Sequence, residues 1–335
     1  MRQDYRIYFT TASILLVLLF VADLLTGSAG IGPGDVWLAL TGGDTEDDTR
    51  IIVNNIRLPK ALTAMLAGIA VSLGGLLMQT LFRNPLAGPF VLGISSGASL
   101  GAALCVLGIS SGIISSALPL AGTAGVAGAA WAGAAAVLGI VMAASRKIGD
   151  NTVILILGMM LGAGIDAVIQ ILQYLSDEQA LKSYIIWTMG ALGNVSGTRL
   201  WLLAGAVMAG TAATAALCKP LNLLLSGEDY AASAGTDVRQ VRNIVFIATT
   251  LMAGTVTAFC GPLGFIGLAV PHLARLFTGN SDHRVLIPAT VLAGGSVMLA
   301  CDIAAKAAAI PVNAVASLTG IPVVIWVVIR SRRHP

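Results

Sequence analysis

The sequence predicts an all-α, polytopic membrane protein with about ten transmembrane helices, some of them short or broken. It reads as one transmembrane domain over residues 1–335. Three observations carry this. Apolar stretches of roughly 20 residues recur along the chain, the length a helix needs to cross a bilayer. The stretches are continuous rather than alternating, which does not suit a membrane β-barrel. Only 10% of the residues are charged, against about 25% in ordinary soluble domains.

The spans fall at 7–27, 58–81, 92–108, 117–144, 152–175, 199–217, 241–260, 263–273, 286–306 and 314–330. The first follows Arg2 and Arg6, exceeds the apolar core of a signal peptide and lacks a small-residue cleavage site, so it is read as retained. The third is rich in Gly and Ser, which suits close helix packing. The eighth is too short to cross alone and reads as a broken or tilted helix.

Charge tests this layout. With both termini on the cytoplasmic side, 13 of the 19 Lys and Arg fall inside, from Arg2, Arg6, Arg83, Arg146 and Lys147 to Arg330, Arg332 and Arg333. The other six are Arg50, Arg57, Lys60, Lys182, Arg199 and Lys306. That is the positive-inside asymmetry. The first outer loop is acidic at Asp44, Glu46, Asp47 and Asp48. It also holds GPGDVWLAL, where Asp35 can cap a short surface helix with Val36, Trp37 and Leu40 on an apolar side. An irregular loop is the competing reading.

Several function classes are closed. A net charge of +3 is too small to imply nucleic acid. Cys105, Cys218, Cys260 and Cys301 form no C-x-x-C pair, so neither a zinc site nor a disulfide framework is indicated, and they read as packing residues. His272, His283 and His334 are not at metal-ligand spacing. There is no G-x-S-x-G, H-E-x-x-H or Walker A motif. No catalytic residue, metal site or cofactor is therefore expected on this chain. If it pumps, the energy comes from an ion gradient or from ATP bound to another chain.

Four constellations remain. The first is a polar island, LNLLLSGEDYAASAGTDVRQVR, between two apolar runs. Ser226 and Asp229 form an S-x-x-D cap, so a helix is expected to start at Gly227, run through Glu228 and end near Ala234. Gly235 suits the left-handed stop, and Thr236 can cap the next helix. The exposed surface would be small: Ala231, Ala232, Ser233 and Ala234. A plain solvated loop is the alternative. The second is a pair of interrupted segments, Arg83 to Leu104 with Pro85 and Pro89, and Cys260 to Leu276. Each follows a similar run, LAGIAVSLGG and LMAGTVTAFCG. Broken segments at matching places point to a transport path, while glycine-mediated packing explains them equally.

The third is Asp166, Gln170 and Gln173, whose spacings of four and three share one helix face. They either line a path or pair within the protein. The fourth joins Arg57 with Lys60, and Asp302 with Lys306, at outer helix ends. They either snorkel to the interface or form a basic patch for an acidic partner.

RLPKALTAMLAGIAVSLGGLLMQTLFRNPLAGPFVLGISSGASLG, GPLGFIGLAVPHLARL, DHRVLIPA and SGEDYAASAG together resemble the FecCD family of ABC-transporter permeases, importers of cobalamin, haem and ferric siderophores. The resemblance covers nearly the whole chain. It implies a homodimer with the path at its two-fold axis in the bacterial cytoplasmic membrane, two ATPase subunits that carry ATP and Mg, and a substrate-binding protein. By the same resemblance Ser226, Gly227, Glu228, Ala231, Ala232 and Gly235 dock into the ATPase. Asp166, Gln170 and Gln173 lie on the helix that lines the path. Arg57, Lys60 and Lys306 meet acidic residues of the binding protein. Lys60 and Lys306 stand where the family often has arginine, which keeps charge but loses bidentate pairing. The outer turn from Ala307 to Gly320 is shorter than the family's usual form and has Asn313 where glycine is common.

The function expected is thus the permease subunit of an ATP-driven importer for an iron chelate, with cobalamin as the alternative cargo. A proton-coupled transporter using Asp166, and an intramembrane enzyme, are the competing classes.

Overall fold

The computed structural model describes residues 5–110 and 123–331. Arg2, Arg332, Arg333, His334 and the first part of the fourth span, 117–122, lie outside the described residues. Within them every element is helical. The chain opens with α1 (Tyr5–Leu25), the surface helix α2 (Pro33–Thr41) and α3 (Asp47–Ile51). A π turn at Ile52–Arg57 joins α3 to α4 (Leu58–Leu81). Then come α5 (Ile94–Ser110), α6 (Thr123–Ser145), α7 (Asn151–Leu175), α8 (Glu178–Thr188) and α9 (Thr198–Ala216). The polar island forms α10 (Cys218–Leu224) and α11 (Glu228–Ser233). α12 (Val238–Thr249) and α13 (Thr255–Cys260) are one span interrupted by a π turn at Thr250–Gly254. α14 (Ile266–Thr278), α15 (His283–Ala308) and α16 (Val312–Ser331) complete the chain.

Seven of the described helices are long and apolar enough to cross a bilayer, and three shorter apolar helices, beginning at Ile94, Ile266 and Val312, account for the rest of the expected spans. Boundaries agree with the expected ones to within a few residues. The short eighth span is α14, which starts only after the break at Gly261–Phe265. α8 was not expected. Its apolar content is low and it is too short to register as a span.

α4 is the axis of the molecule. Nearly all of it from Ala67 to Leu81 is buried. It can be surrounded this closely because its glycines have no side chain. A Cβ at Gly75 would sit 1.7 Å from the Gly267 carbonyl oxygen of α14. One at Gly68 would sit 2.2 Å from that of Gly294 in α15. Without a hydrophobic driving force between helices in lipid, such backbone approach supplies the dispersion contacts that hold them. α5 and α6 meet in the same way through Gly97, Gly101 and Gly133.

The first proline-bracketed break, Phe82–Gly93, is non-helical as expected. Ala87, Gly88, Pro89, Leu92 and Gly93 are buried in protein, which is what irregular backbone at membrane depth requires. The Pro89 ring lies against Gly74 and Gly267, so the first break touches the start of the helix that follows the second.

α2 exists, but Asp35 does not cap it. The N-cap is Gly32, Pro33 occupies the first helical position, and Asp35 sits in the first turn without a capping bond. Val36 and Ala39 face the protein, whereas Trp37 is 67% exposed. The apolar side is therefore narrower than expected, and the indole points outward, as interfacial tryptophans do. The outer turn before the last helix is only Ala309–Pro311, since α16 begins at Val312. The unusual Asn313 has a task there: its Oδ1 accepts the Gly264 amide at 3.0 Å, latching the second break to α16.

Candidate functional site

The polar island forms a helical knuckle whose caps differ from those expected. Ser226 makes no cap. Gly227 is the N-cap, with φ 117°, a value strained for any L side chain, and α11 starts at Glu228. The far end follows the expectation. Gly235 has φ 83°; its amide bonds to Ala232 O and that of Thr236 to Ala231 O, both at 3.0 Å. This is the double-bonded glycine stop. Asp237, not Thr236, caps α12, accepting the Gln240 amide at 3.0 Å. Ala231 is fully buried and leaves the expected exposed set, while Ala232, Ser233, Ala234 and Gly235 are exposed beside Tyr230.

Glu228 turns out to hold the knuckle to the membrane helices. Arg242 Nη2 in α12 donates to Glu228 Oε1 at 3.1 Å and to Oε2 at 3.2 Å. Asn151 Nδ2, at the first residue of α7, donates to the same carboxylate and to the Leu81 carbonyl at the end of α4. Three helices thus meet on one carboxylate, and Asn151 ties the end of α4 to them. Arg242 is 6% exposed while the Glu228 side chain keeps partial access to solvent, and the bonds between them are charge-assisted. Asn151 and Arg242 were missed as site residues because each reads locally as a helix start or a positive-inside charge.

A second staple joins α10 to α15. Asn222 donates to Asp282 Oδ1 at 2.7 Å and accepts the His283 amide at 2.9 Å. The His283 ring lies 2.7 Å from Asn222 Oδ1 and 2.9 Å from Thr80 Oγ1 of α4. The Arg284 amide, then the Asn222 side chain, hold the Asp282 carboxyl below its ordinary pKa. This carboxylate caps α15 on the same side as the knuckle.

α7 carries the third constellation. Its buried side holds Ile154, Gly158, Gly162, Ile169 and Leu172. Gly158 rests on the first break, where a Cβ would come 2.7 Å from Leu92 Cα. Asp166 and Gln170 are exposed along one flank of that side, and Gln173 is half-buried. α7 therefore touches the knuckle at its first residue, the break at its middle, and presents an amide-and-carboxylate face outward.

The fourth constellation is largely buried and internally paired. Arg57 is 5% exposed, and its guanidinium donates to the carbonyls of Leu24 at 3.0 Å, Leu25 at 3.2 Å and Ala29 at 2.6 Å. It ties off the end of α1, whose last carbonyls have no partner within the helix. Lys306 pairs with Asp302 Oδ2 and with Asp23 Oδ1, each at 2.9 Å. Lys60 pairs with Asp302 Oδ1 at 3.1 Å. Two lysines and two aspartates form a closed, neutral chain across α1, α4 and α15. Burial demands this pairing, since an isolated ion there costs several kcal/mol. Asp23 was missed: it is a single carboxylate in an apolar span, and its partner is 283 residues away.

Among the described residues no group of three or more His, Cys, Asp or Glu is placed to hold a metal ion. The model of the FecCD transport family matches residues 15–330. The chain belongs to that family. A FecCD permease is a membrane transport component, and this one is a multi-pass, all-helical ABC transporter permease. It is 36% identical to the vitamin B12 import system permease protein BtuC of Klebsiella pneumoniae, over 99% of this chain and 96% of that one. It is 34% identical to BtuC of Escherichia coli, over 99% and 97%. Among solved structures it is similar to a metal-chelate type ABC transporter in an inward-facing conformation, with a TM-score of 0.83 and 26% identity over 96% of this chain and 99% of that one.

Proposed function

We propose that this FecCD permease is the membrane subunit of an ATP-driven importer for cobalamin. The observation that carries the cargo is full-length identity of 34–36% to permeases named for vitamin B12 import. This replaces the iron chelate expected first. Cobalamin is itself a cobalt chelate, so the likeness to a metal-chelate type transporter fits it too.

In this reading two copies pair in the cytoplasmic membrane with both termini inside, and the polar faces of α7 enclose the path. Asp166, Gln170 and Gln173 offer hydrogen bonds to a bulky polar cargo without gripping it. Two ATPase subunits, which hold ATP and Mg, seat against Ala232 to Gly235. Their closure moves α11, and the Glu228 junction with Asn151 and Arg242 passes that motion to α7 and α12. A binding protein docks on the outer face. Of the three outer basic residues, Lys60 keeps the most solvent access, its side chain being 25% exposed. It is the contact we expect an acidic partner to use, while Arg57 and Lys306 brace the surface beneath.

The test is reconstitution in proteoliposomes with the cognate ATPase and binding protein, followed by uptake of radiolabelled cobalamin. Cobalamin should accumulate with ATP and stimulate hydrolysis, and a ferric siderophore should do neither. Accumulation of the siderophore alone would overturn the cargo. Uptake without any ATPase would overturn the mechanism.

A further inference from the structure

α6, α9 and α13 leave between them a groove of about 680 Å3, none of whose lining residues belongs to α7. Its walls are apolar: Trp131, Leu202, Leu251 and Phe259. Its floor is hollowed by Gly128 and Gly205. A Cβ at either glycine would meet nothing within 4 Å, unlike the glycines of α4, α5 and α14 that admit another backbone. Glycine is a poor helix former, so these two trade helix stability for open space that no described residue fills. Trp131 Nε1 donates to Thr255 Oγ1 at 3.2 Å, which fixes one wall and satisfies the indole.

The groove runs along α9 from Arg199 to Ala209, and ten helical steps make about 15 Å. That is one leaflet of a hydrocarbon core about 30 Å thick. It opens between helices long and apolar enough to cross a bilayer. Water would find no polar partners along such walls. At the mouth stand Trp201, 78% exposed, and Arg199, whose Nη1 lies 3.5 Å from the Asn194 carbonyl. A tryptophan and a cation at this level mark the headgroup layer.

We propose that the groove seats one acyl chain of an anionic phospholipid, with its phosphate on Arg199, in the leaflet where α9 begins. Length, apolar lining and a single cation at one end match a phospholipid in depth, surface and charge. The site does not depend on which cargo is carried.

The experiment is native mass spectrometry of the full-length permease purified in mild detergent and exchanged with equal phosphatidylglycerol and phosphatidylcholine. Wild type should retain one lipid per protomer and favour phosphatidylglycerol about tenfold, as a charge-assisted bond gives. Arg199→Gln should abolish the headgroup preference. Gly205→Leu should fill the groove and remove the retained lipid while leaving thermal unfolding unchanged. Leu18→Phe, on the exposed side of α1, should change neither. Equal retention of both lipids by wild type would mean surrounding bilayer lipid only and would overturn the proposal, as would undiminished retention by Gly205→Leu.

Discussion

Lys306 answers two carboxylates at once, and that makes it the most consequential charge in the outer half. Asp23 has a fully buried side chain, and among the described residues it pairs with Lys306 alone. Lys306→Met leaves the buried Asp23 carboxyl without its cation, and breaking a buried pair from one side costs about 3–5 kcal/mol. The variant should unfold at clearly lower temperature in detergent, and Asp23→Asn added to it should restore most of the loss. An unaltered melting temperature for Lys306→Met would refute the network. Glu228 is a different case, because its bonds link elements rather than close a core. Glu228→Gln keeps shape and some hydrogen bonding but removes the charge opposite buried Arg242. We expect the assembled complex to keep ATP hydrolysis while cobalamin uptake falls by about tenfold, roughly 1.4 kcal/mol. Parallel loss of hydrolysis and uptake would assign Glu228 to assembly instead. Neither role was legible in the sequence beyond the residue itself. Glu228 and Lys306 stood out by type and position, but Asp23, Asn151 and Arg242 become partners only through contacts across 283, 77 and 14 residues.

Helices were the most legible elements, because a bilayer imposes both length and apolar composition on every span. Their ends were less so. The S-x-x-D pattern at Ser226 was overridden because Gly227 takes a φ of 117° that serine or aspartate would resist, and the helix starts one residue later. The stop at Gly235 was readable because only its local backbone conformation decides it. Both broken segments were also readable from proline and glycine, yet their contact through Pro89 and Gly267 was not. Glycine identity alone cannot separate packing from open space. Gly75→Ala would press a methyl group into the Gly267 carbonyl, and overpacking of this kind costs about 1–3 kcal/mol. Gly139→Ala meets nothing within 4 Å and should be neutral or slightly stabilising through helix propensity. Thermal unfolding of the two variants side by side decides it, and equal behaviour would contradict the axial packing of α4.

At the scale of the whole molecule the exposed residues sort into two kinds of surface. Along α1 and α9 the large exposed side chains are apolar, such as Leu18 and Met208. α7 breaks the rule with Asp166 and Gln170 exposed among Ile171 and Tyr174. An exposed carboxylate facing hydrocarbon would be costly, so this face belongs against water or a partner. Pairing two copies through the α7 side satisfies both needs and leaves the α9 side to lipid. Two competing mechanisms then separate at Asp166. A proton-coupled carrier would need its carboxyl to load and release protons, and Asp166→Asn would abolish transport. A path lining needs only polarity. On that account Asp166→Asn should leave ATP-driven cobalamin uptake within about twofold of wild type, roughly 0.4 kcal/mol. Gln170→Cys, in a background freed of Cys105, Cys218, Cys260 and Cys301, should react with a membrane-impermeant thiol reagent, while Met208→Cys should not. Abolished uptake in Asp166→Asn would favour the proton-coupled carrier, and a Gln170→Cys as unreactive as Met208→Cys would take the path away from α7.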